Sequence, residues 1–280
     1  MRFGEMKQTI LTNENLAVRF LTPRRYALAL ACLVTCAVPT ATADDLCGAT
    51  IVDDVKLHQD LICTGDGLIV GADGIRINLN GYTIAGSGTG IGIAVIGRTD
   101  ISIVGGTIRN FAVAVRVMTS TDVVIKHNEF VGNPEGIDLH AGSVGNTVKD
   151  NAFRDSAIRA IMLRTTSRDN DIRNNIFTGN RIGILVFGGV DNTLKGNIVS
   201  GSSLAGIRFN VTATGNVLKH NTVISNVVGI EFLVTPTGSS TGNELKRNVI
   251  ATNGCGLKGP TAGNSFKRNS FEGNVADTCS

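Results

Sequence analysis

Asn146-Thr-Val-Lys-Asp-Asn-Ala-Phe153 is written again as Asn170-Asp-Ile-Arg-Asn-Asn-Ile-Phe177 and as Asn192-Thr-Leu-Lys-Gly-Asn-Ile-Val199. Three further copies follow: Asn216-Val-Leu-Lys-His-Asn-Thr-Val223, Asn243-Glu-Leu-Lys-Arg-Asn-Val-Ile250 and Asn264-Ser-Phe-Lys-Arg-Asn-Ser-Phe271. A degenerate copy, Asp122-Val-Val-Ile-Lys-His-Asn-Glu-Phe130, precedes them. The second Asn recurs at 128, 151, 175, 197, 221, 248 and 269, with spacings of 23, 24, 22, 24, 27 and 21. Self-similarity at that period predicts a solenoid, whose units bury their apolar faces only against their neighbours.

Between the Asn motifs lies a second recurring element: Gly136-Ile137, Gly183-Ile184, Gly206-Ile207, Gly229-Ile230 and Gly256-Leu257. Each opens a short segment with period-two alternation, such as Ile207-Arg-Phe209, which predicts strands separated by Asn-Gly and Gly-Gly turns. Like units stacked in one direction pair strand on strand in parallel. The expected fold is all-β: a single-stranded right-handed parallel β-helix of about nine coils, roughly 40 Å long at a strand spacing of ~4.8 Å. Asn tolerates the left-handed dihedrals of a bend, and stacked once per coil its amide can bond the coils above and below. The repeated Asn residues are therefore assigned to structure. Ile75-Arg-Ile-Asn-Leu79 and Ile101-Ser-Ile-Val104 carry the pattern upstream. Residues 44–72 are expected to cap the first rung and 73–280 to form the β-helix.

The first 43 residues read as a removed leader. Arg24-Arg25 precede an apolar run from Ala27 to Val38, and Ala41-Thr42-Ala43 offers a cleavage site. About twelve apolar residues are too few to span a bilayer, so the membrane is met only through export, and the mature protein is expected to be secreted or periplasmic. The leader holds five of the 26 basic and two of the 23 acidic residues, which leaves 21 of each. With no net charge, no Trp and two Tyr, the chain offers no global field or stacking platform for nucleic acid. Cys47, Cys63, Cys255 and Cys279 lie beyond the leader, one pair near each end. In an exported chain these predict two local disulfides, Cys47–Cys63 and Cys255–Cys279; metal ligation is the alternative reading.

The Asn-x-(Ile/Leu/Val)-x-x-Asn and Gly-Ile repeats resemble those of right-handed parallel β-helix proteins of the pectate-lyase-like type. That resemblance covers nearly all of the mature region. It implies a fold shared by polysaccharide lyases and hydrolases, uronate epimerases, phage tailspike-like domains, and periplasmic proteins associated with copper and nitrous-oxide-reductase maturation.

If the Ile after each Gly points inward, the residues one and three positions later point outward. Aligned coil by coil, one outward column reads Ala114, Asp138, Met162, Leu185, Arg208, Glu231; the other reads Arg116, His140, Arg164, Phe187, Asn210, Leu233. This places His140 between Arg116 and Arg164, with Asp138 beside it and Arg208 and Asn210 further along. Two guanidinium groups neutralising a uronate carboxylate would stabilise the enediolate formed when the adjacent proton leaves. His140 would exchange the proton and Asp138 would orient the ring. Gly136-Ile-Asp-Leu-His140 also resembles the Tyr-Gly-Phe/Ile-Asp-Pro-His motif of mannuronan C5-epimerases. The resemblance implies catalytic Asp138 and His140, although Glu135 stands in place of the Tyr and Leu139 in place of the Pro.

No cofactor and no metal are expected. Calcium-assisted chemistry needs clustered acidic oxygens, and the acidic doublets Asp44-Asp45 and Asp53-Asp54 lie near the N-terminus. Two function classes compete. One is an enzyme or binder acting on an acidic polysaccharide, with lyase or epimerase chemistry. The other is a noncatalytic surface, adhesion or assembly-accessory module, for which the outward Leu185, Phe187 and Leu233 argue.

Overall fold

The computed structural model describes residues 46–140, 142–236 and 238–280. The expected leader and cleavage site, residues 1–43, lie outside them. The described residues form no α-helix and three parallel sheets. Sheet A has eleven strands, from Thr50–Ile51 to Ala276–Cys279; sheet B has ten, from Val55–Lys56 to Ser265–Lys267; sheet C has ten, from Leu61–Ile62 to Ser270–Glu272. One coil runs through Arg159–Leu163 in A, Asp171–Arg173 in B and Ile176–Thr178 in C, then returns to A at Ile182–Phe187. The result is a right-handed parallel β-helix of about ten turns. Residues 50–70 already supply strands to all three sheets, which is why the turns exceed the expected nine.

Inward residues build a continuous core. Ile137, Ile161, Ile184, Ile207 and Ile230 stack in register, each no more than 1% exposed. Phe130, Phe153 and Phe177 stack with centroids 4.7 and 4.8 Å apart. Gly136 marks a tight approach between coils: a Cβ there would lie 2.3 Å from the Ala160 carbonyl oxygen.

Three buried ladders fasten the bends. Along the second Asn of the repeat, each Nδ2 donates to the Oδ1 one coil on, from Asn151→Asn175 at 3.0 Å to Asn248→Asn269 at 3.0 Å. The first Asn does the same from Asn146→Asn170 at 2.9 Å to Asn243→Asn264 at 2.9 Å. The third, at the turn from sheet C to A, joins Asn226, Asn253 and Asn274, while Ser156 and Ser202 take the Asn place in two earlier coils. The residue before the second Asn is left-handed, including His127 and His220 at φ 55° and 57°. Both histidines are exposed turn residues.

The repeat spacing widens to 27 where a small antiparallel hairpin, Val234–Thr235 with Gly238–Ser239, is inserted. Disulfides Cys47–Cys63 and Cys255–Cys279 staple the first and last turns.

Candidate functional site

Asp138 sits on the strand Glu135–Leu139, between the core residues Ile137 and Leu139, so alternation turns its side chain to the outer face of sheet A. It nevertheless has no exposed surface. Arg164 Nε donates to its Oδ1 at 2.7 Å, and Arg116 Nε lies 3.4 Å from Oδ2 as an ion pair without hydrogen-bond alignment. Three residues earlier, at the strand start, Glu135 accepts from Arg159 Nη2 at 2.6 Å and lies 3.9 Å from Arg164 Nη2. The result is a five-membered charge cluster of three guanidinium groups and two carboxylates. Each arginine remains partly exposed, at 18 to 31% of its side chain.

The register corrects the expected columns in one coil. Arg116 pairs with Ala94 and Asp138, not with His140, and Ala114 is a buried core residue. Beyond the pair Val117 and Leu139, the neighbour of His140 on that side is Met118. The strand Val113–Met118 lacks a Gly-Ile marker, and a slip of two residues preserves the in/out alternation, so periodicity alone could not detect it. From His140 onward the second column stands: Arg164 follows Leu163, the partner of Leu139, and Phe187 pairs with Asn210. His140 is half-buried, and its Nδ1 has no hydrogen-bond partner. The pairing of Arg116 with Asp138 also means that neither Arg116 nor Arg164 is a free guanidinium.

Further along the sheet, Arg208 Nε donates to Glu231 Oε2 at 2.6 Å, and Lys258 Nζ lies 3.8 Å from Oε1. Between the two charged clusters, Met162, Ile182 and Leu185 form an outer apolar patch with Phe187 and Leu204 packed against it. A shallow groove of about 400 Å3 crosses this patch, edged by Arg159, Arg164, Arg181 and Arg208 and by Asn210. The structure thus gathers Arg164, Arg208 and Asn210 around one groove, while Asp138 and His140 lie to its N-terminal side and Arg116 one coil beyond Asp138.

Sequence reasoning missed Glu135, Arg159 and Arg181. The 24-residue interval between Glu135 and Arg159 equals one repeat and carries the signal for that pair. It also passed over the Lys or Arg inside every Asn motif. On the outer face of sheet B, Lys126, Lys149, Arg173, Lys195, Lys219, Lys246 and Lys267 occupy one column.

The fold and this outer face define a right-handed parallel β-helix of the pectate-lyase-like type. Within that class the chain belongs to the NosD family: the family model described as periplasmic copper-binding protein (NosD) matches residues 55–170, 92–239 and 165–278. No curated protein matches the chain by sequence. Among solved structures, it is similar to the periplasmic alginate epimerase AlgG, at TM-score 0.62 and 16% identity, covering 73% of this chain and 55% of that one. It is similar to an alginate lyase from Paenibacillus sp. str. FPU-7, at TM-score 0.65 and 12% identity, covering 81% and 99%. The tailspike of E. coli bacteriophage HK620, in complex with a pentasaccharide, aligns at TM-score 0.53 and 12% identity over 81% and 53%. At these identities the likeness is one of fold, and the chain spans about half the length of the alginate epimerase.

The family's description raises copper, which favours grouped thioether, thiolate or imidazole donors. Cys47, Cys63, Cys255 and Cys279 are spent in disulfides. Among the described residues no group of three or more His, Cys, Asp or Glu could hold a metal ion. Met118 beside His140 supplies one thioether and one imidazole. The donor set among the described residues does not fit a resident copper centre.

Proposed function

We propose that this is an exported β-helix protein that binds an acidic polysaccharide across the outer face of sheet A. The observation that carries the reading is the groove between the charged clusters, an apolar floor of Met162, Ile182, Leu185 and Phe187 edged by four arginines. Sugar rings present C–H faces to such a floor, and guanidinium groups match carboxylates in planar, bidentate geometry. Five cationic side chains on this face, Arg116, Arg159, Arg164, Arg208 and Lys258, stand against the carboxylates of Glu135, Asp138 and Glu231. Arg181 adds a sixth cation at the groove edge, so the face keeps an excess of positive charge. Export is supported by the leader-like N-terminus, by two disulfides and by a family described as periplasmic.

Lyase or epimerase chemistry on the bound uronate would rest on His140, whose Nδ1 is uncommitted. Asp138, buried behind two arginines, would act by holding them in place and not by touching substrate. Arg164, Arg208 and Asn210 would bind the sugar carboxylates and hydroxyls, and Arg116 would contribute through its pairing with Asp138. The test incubates the protein with alginate and pectate, following unsaturated-end absorbance and proton NMR alongside direct binding. We expect binding that Arg181→Ala weakens, and turnover that His140→Ala removes. Binding untouched by Arg181→Ala and Phe187→Ala would sink the groove as the site.

A second reading, a noncatalytic assembly-accessory module, draws on the same apolar patch. It predicts that a protein partner, and no glycan, protects Leu185 and Phe187 from solvent.

A further inference from the structure

The seven basic residues of sheet B stand one per coil in consecutive rungs, each paired in register with the next. At a strand spacing of ~4.8 Å, their six intervals span roughly 29 Å in a straight file. Like charges directly opposite one another destabilise a sheet, so seven in succession work against the fold that holds them. Among the described residues Arg173 and Lys267 have carboxylate partners in direct contact, Asp171 at 2.9 Å and Glu244 at 3.1 Å, and Lys246 and Lys219 lie near enough to Glu244 to add to its field. No direct ion pair among the described residues involves Lys126, Lys149, Lys195, Lys219 or Lys246, and none of these side chains is buried. The turn residues that follow add His220, Arg247 and Arg268 along the same edge. Net charge hides this arrangement, because carboxylates offset it, some of them on the same face: Asp171 and Glu244 in the neighbouring column and Asp169 and Asp191 at the turns.

We propose that this column is a second binding lane, separate from the groove on sheet A, for an extended acidic polysaccharide lying along the solenoid axis. A linear polymer with a carboxylate on each sugar meets a linear file of ammonium groups, whereas a compact anion would engage only one or two rungs. The neighbouring outward column supplies the hydroxyls of Thr147, Thr193 and Ser265, suited to sugar hydroxyls, interspersed with Asp171 and Glu244, whose carboxylates are taken up by Arg173 and Lys267. Neither outward column of sheet B, from Val124 to Lys267, contains an aromatic side chain, so bases would find no stacking platform there. The two disulfides fit an oxidising compartment, consistent with the exported reading on which this inference rests. Along the corner from sheet B to C a groove of about 600 Å3 is lined by His127, Asp150 and Asn174. Each of these directly follows a rung of the lane, Lys126, Lys149 and Arg173, so the file runs beside a ready-made depression.

The inference shares its ligand class with the sheet A reading, and paired variants separate the two. Alginate oligomers are titrated into the protein at several salt concentrations, with the triple variant Lys195→Gln/Lys219→Gln/Lys246→Gln, the matching Lys→Arg triple, and Arg181→Ala. The lane predicts at least a tenfold loss of affinity and a flatter salt dependence in the Gln triple, retention in the Arg triple, and stronger binding of long oligomers than of uronate monomers. Thermal unfolding accompanies each titration; removal of like-charge repulsion should leave the Gln triple at least as stable as wild type, and single Lys219→Gln and Lys246→Gln variants give graded losses should the triple fail to fold. Loss confined to Arg181→Ala overturns the lane and keeps the sheet A groove. Loss confined to the Gln triple supports the lane and removes the groove. Tighter binding to single-stranded DNA or to anionic lipid vesicles, or salt-sensitive self-association without any polyanion, overturns the polysaccharide as occupant.

Discussion

Arg164 closes over Asp138 with an Nε-to-Oδ1 hydrogen bond of 2.7 Å, and Asp138 has no exposed surface. An anion on the outer face of a sheet has been taken out of water by arginines from the coils on either side. The pair is therefore structural before it is anything else, and whatever sheet A binds is met by the exposed edges of those arginines.

Truncating Arg164 strands a buried carboxylate with only the poorly aligned Arg116. Removing one partner of a buried pair costs about 3 kcal/mol or more. We expect Arg164→Ala to lower stability by that amount in urea unfolding, and Asp138→Asn by less, because the freed guanidinium groups are 29 and 31% exposed and can hydrate. Equal costs for the two would show that Arg164 acts through packing alone.

Asn197 accepts from both the backbone N–H and Nδ2 of Asn175, and donates to Ile172 O at 2.8 Å and Asn221 Oδ1 at 3.0 Å. Asn197→Ala orphans several buried groups at about 1–3 kcal/mol each. At the last rung Asn269 is half-buried, so water replaces part of what is lost. Denaturant midpoints should fall well below wild type for Asn197→Ala and much less for Asn269→Ala.

Phe153 is stacked on both faces, by Phe130 and Phe177. Phe153→Ala opens a cavity mid-column and should cost about 3–5 kcal/mol. Hydrogen exchange should show faster opening centred on the coils of residues 130–177, with the terminal coils least changed; a uniform loss of protection would contradict nearest-neighbour stacking.

The Lys267 ammonium, hydrogen-bonded to Glu244 at 3.1 Å, holds that carboxyl below its ordinary range, with Lys246 and Lys219 adding to the effect. A depressed folded-state value means stability present above the unfolded carboxylate pKa and lost as pH falls through the folded one. Because Glu244 is solvated, the effect should be small and shrink with salt. In an NMR titration, Lys267→Gln should raise the Glu244 midpoint; an unchanged midpoint would remove Lys267 as its cause.

Cys47–Cys63 closes a loop of sequence separation 16 at the first turn. Replacing both with Ser should cost about 3 kcal/mol. Protection should disappear first over residues 50–70, because the end coil has a neighbour on one side only.

Much of the fold was legible because a solenoid repeats its requirements. Every coil needs an amide at the same bends, so Asn175, Asn197 and Asn221 announce the period and the ladder together. The third ladder was harder to see because Ser156 and Ser202 interrupt it: a Ser can still offer its backbone N–H to the Asn above without spelling the motif. The site was less legible. His140 and Arg164 were placed correctly as neighbours, since Leu139 and Leu163 anchor both strands, whereas Arg116 was set two positions out.

By itself, then, the sequence determined the period, the parallel stacking and the inward face, since each follows from a pattern repeated along the chain. Tertiary structure alone decided which side chains meet across coils. Shifting a strand by two residues leaves its alternation intact, so only the hydrogen-bonded register could put Arg116 over Asp138 and bury that carboxylate. On sheet B, by contrast, the repeat already holds a Lys or Arg at one fixed position, and the register confirms that the seven stand in one line.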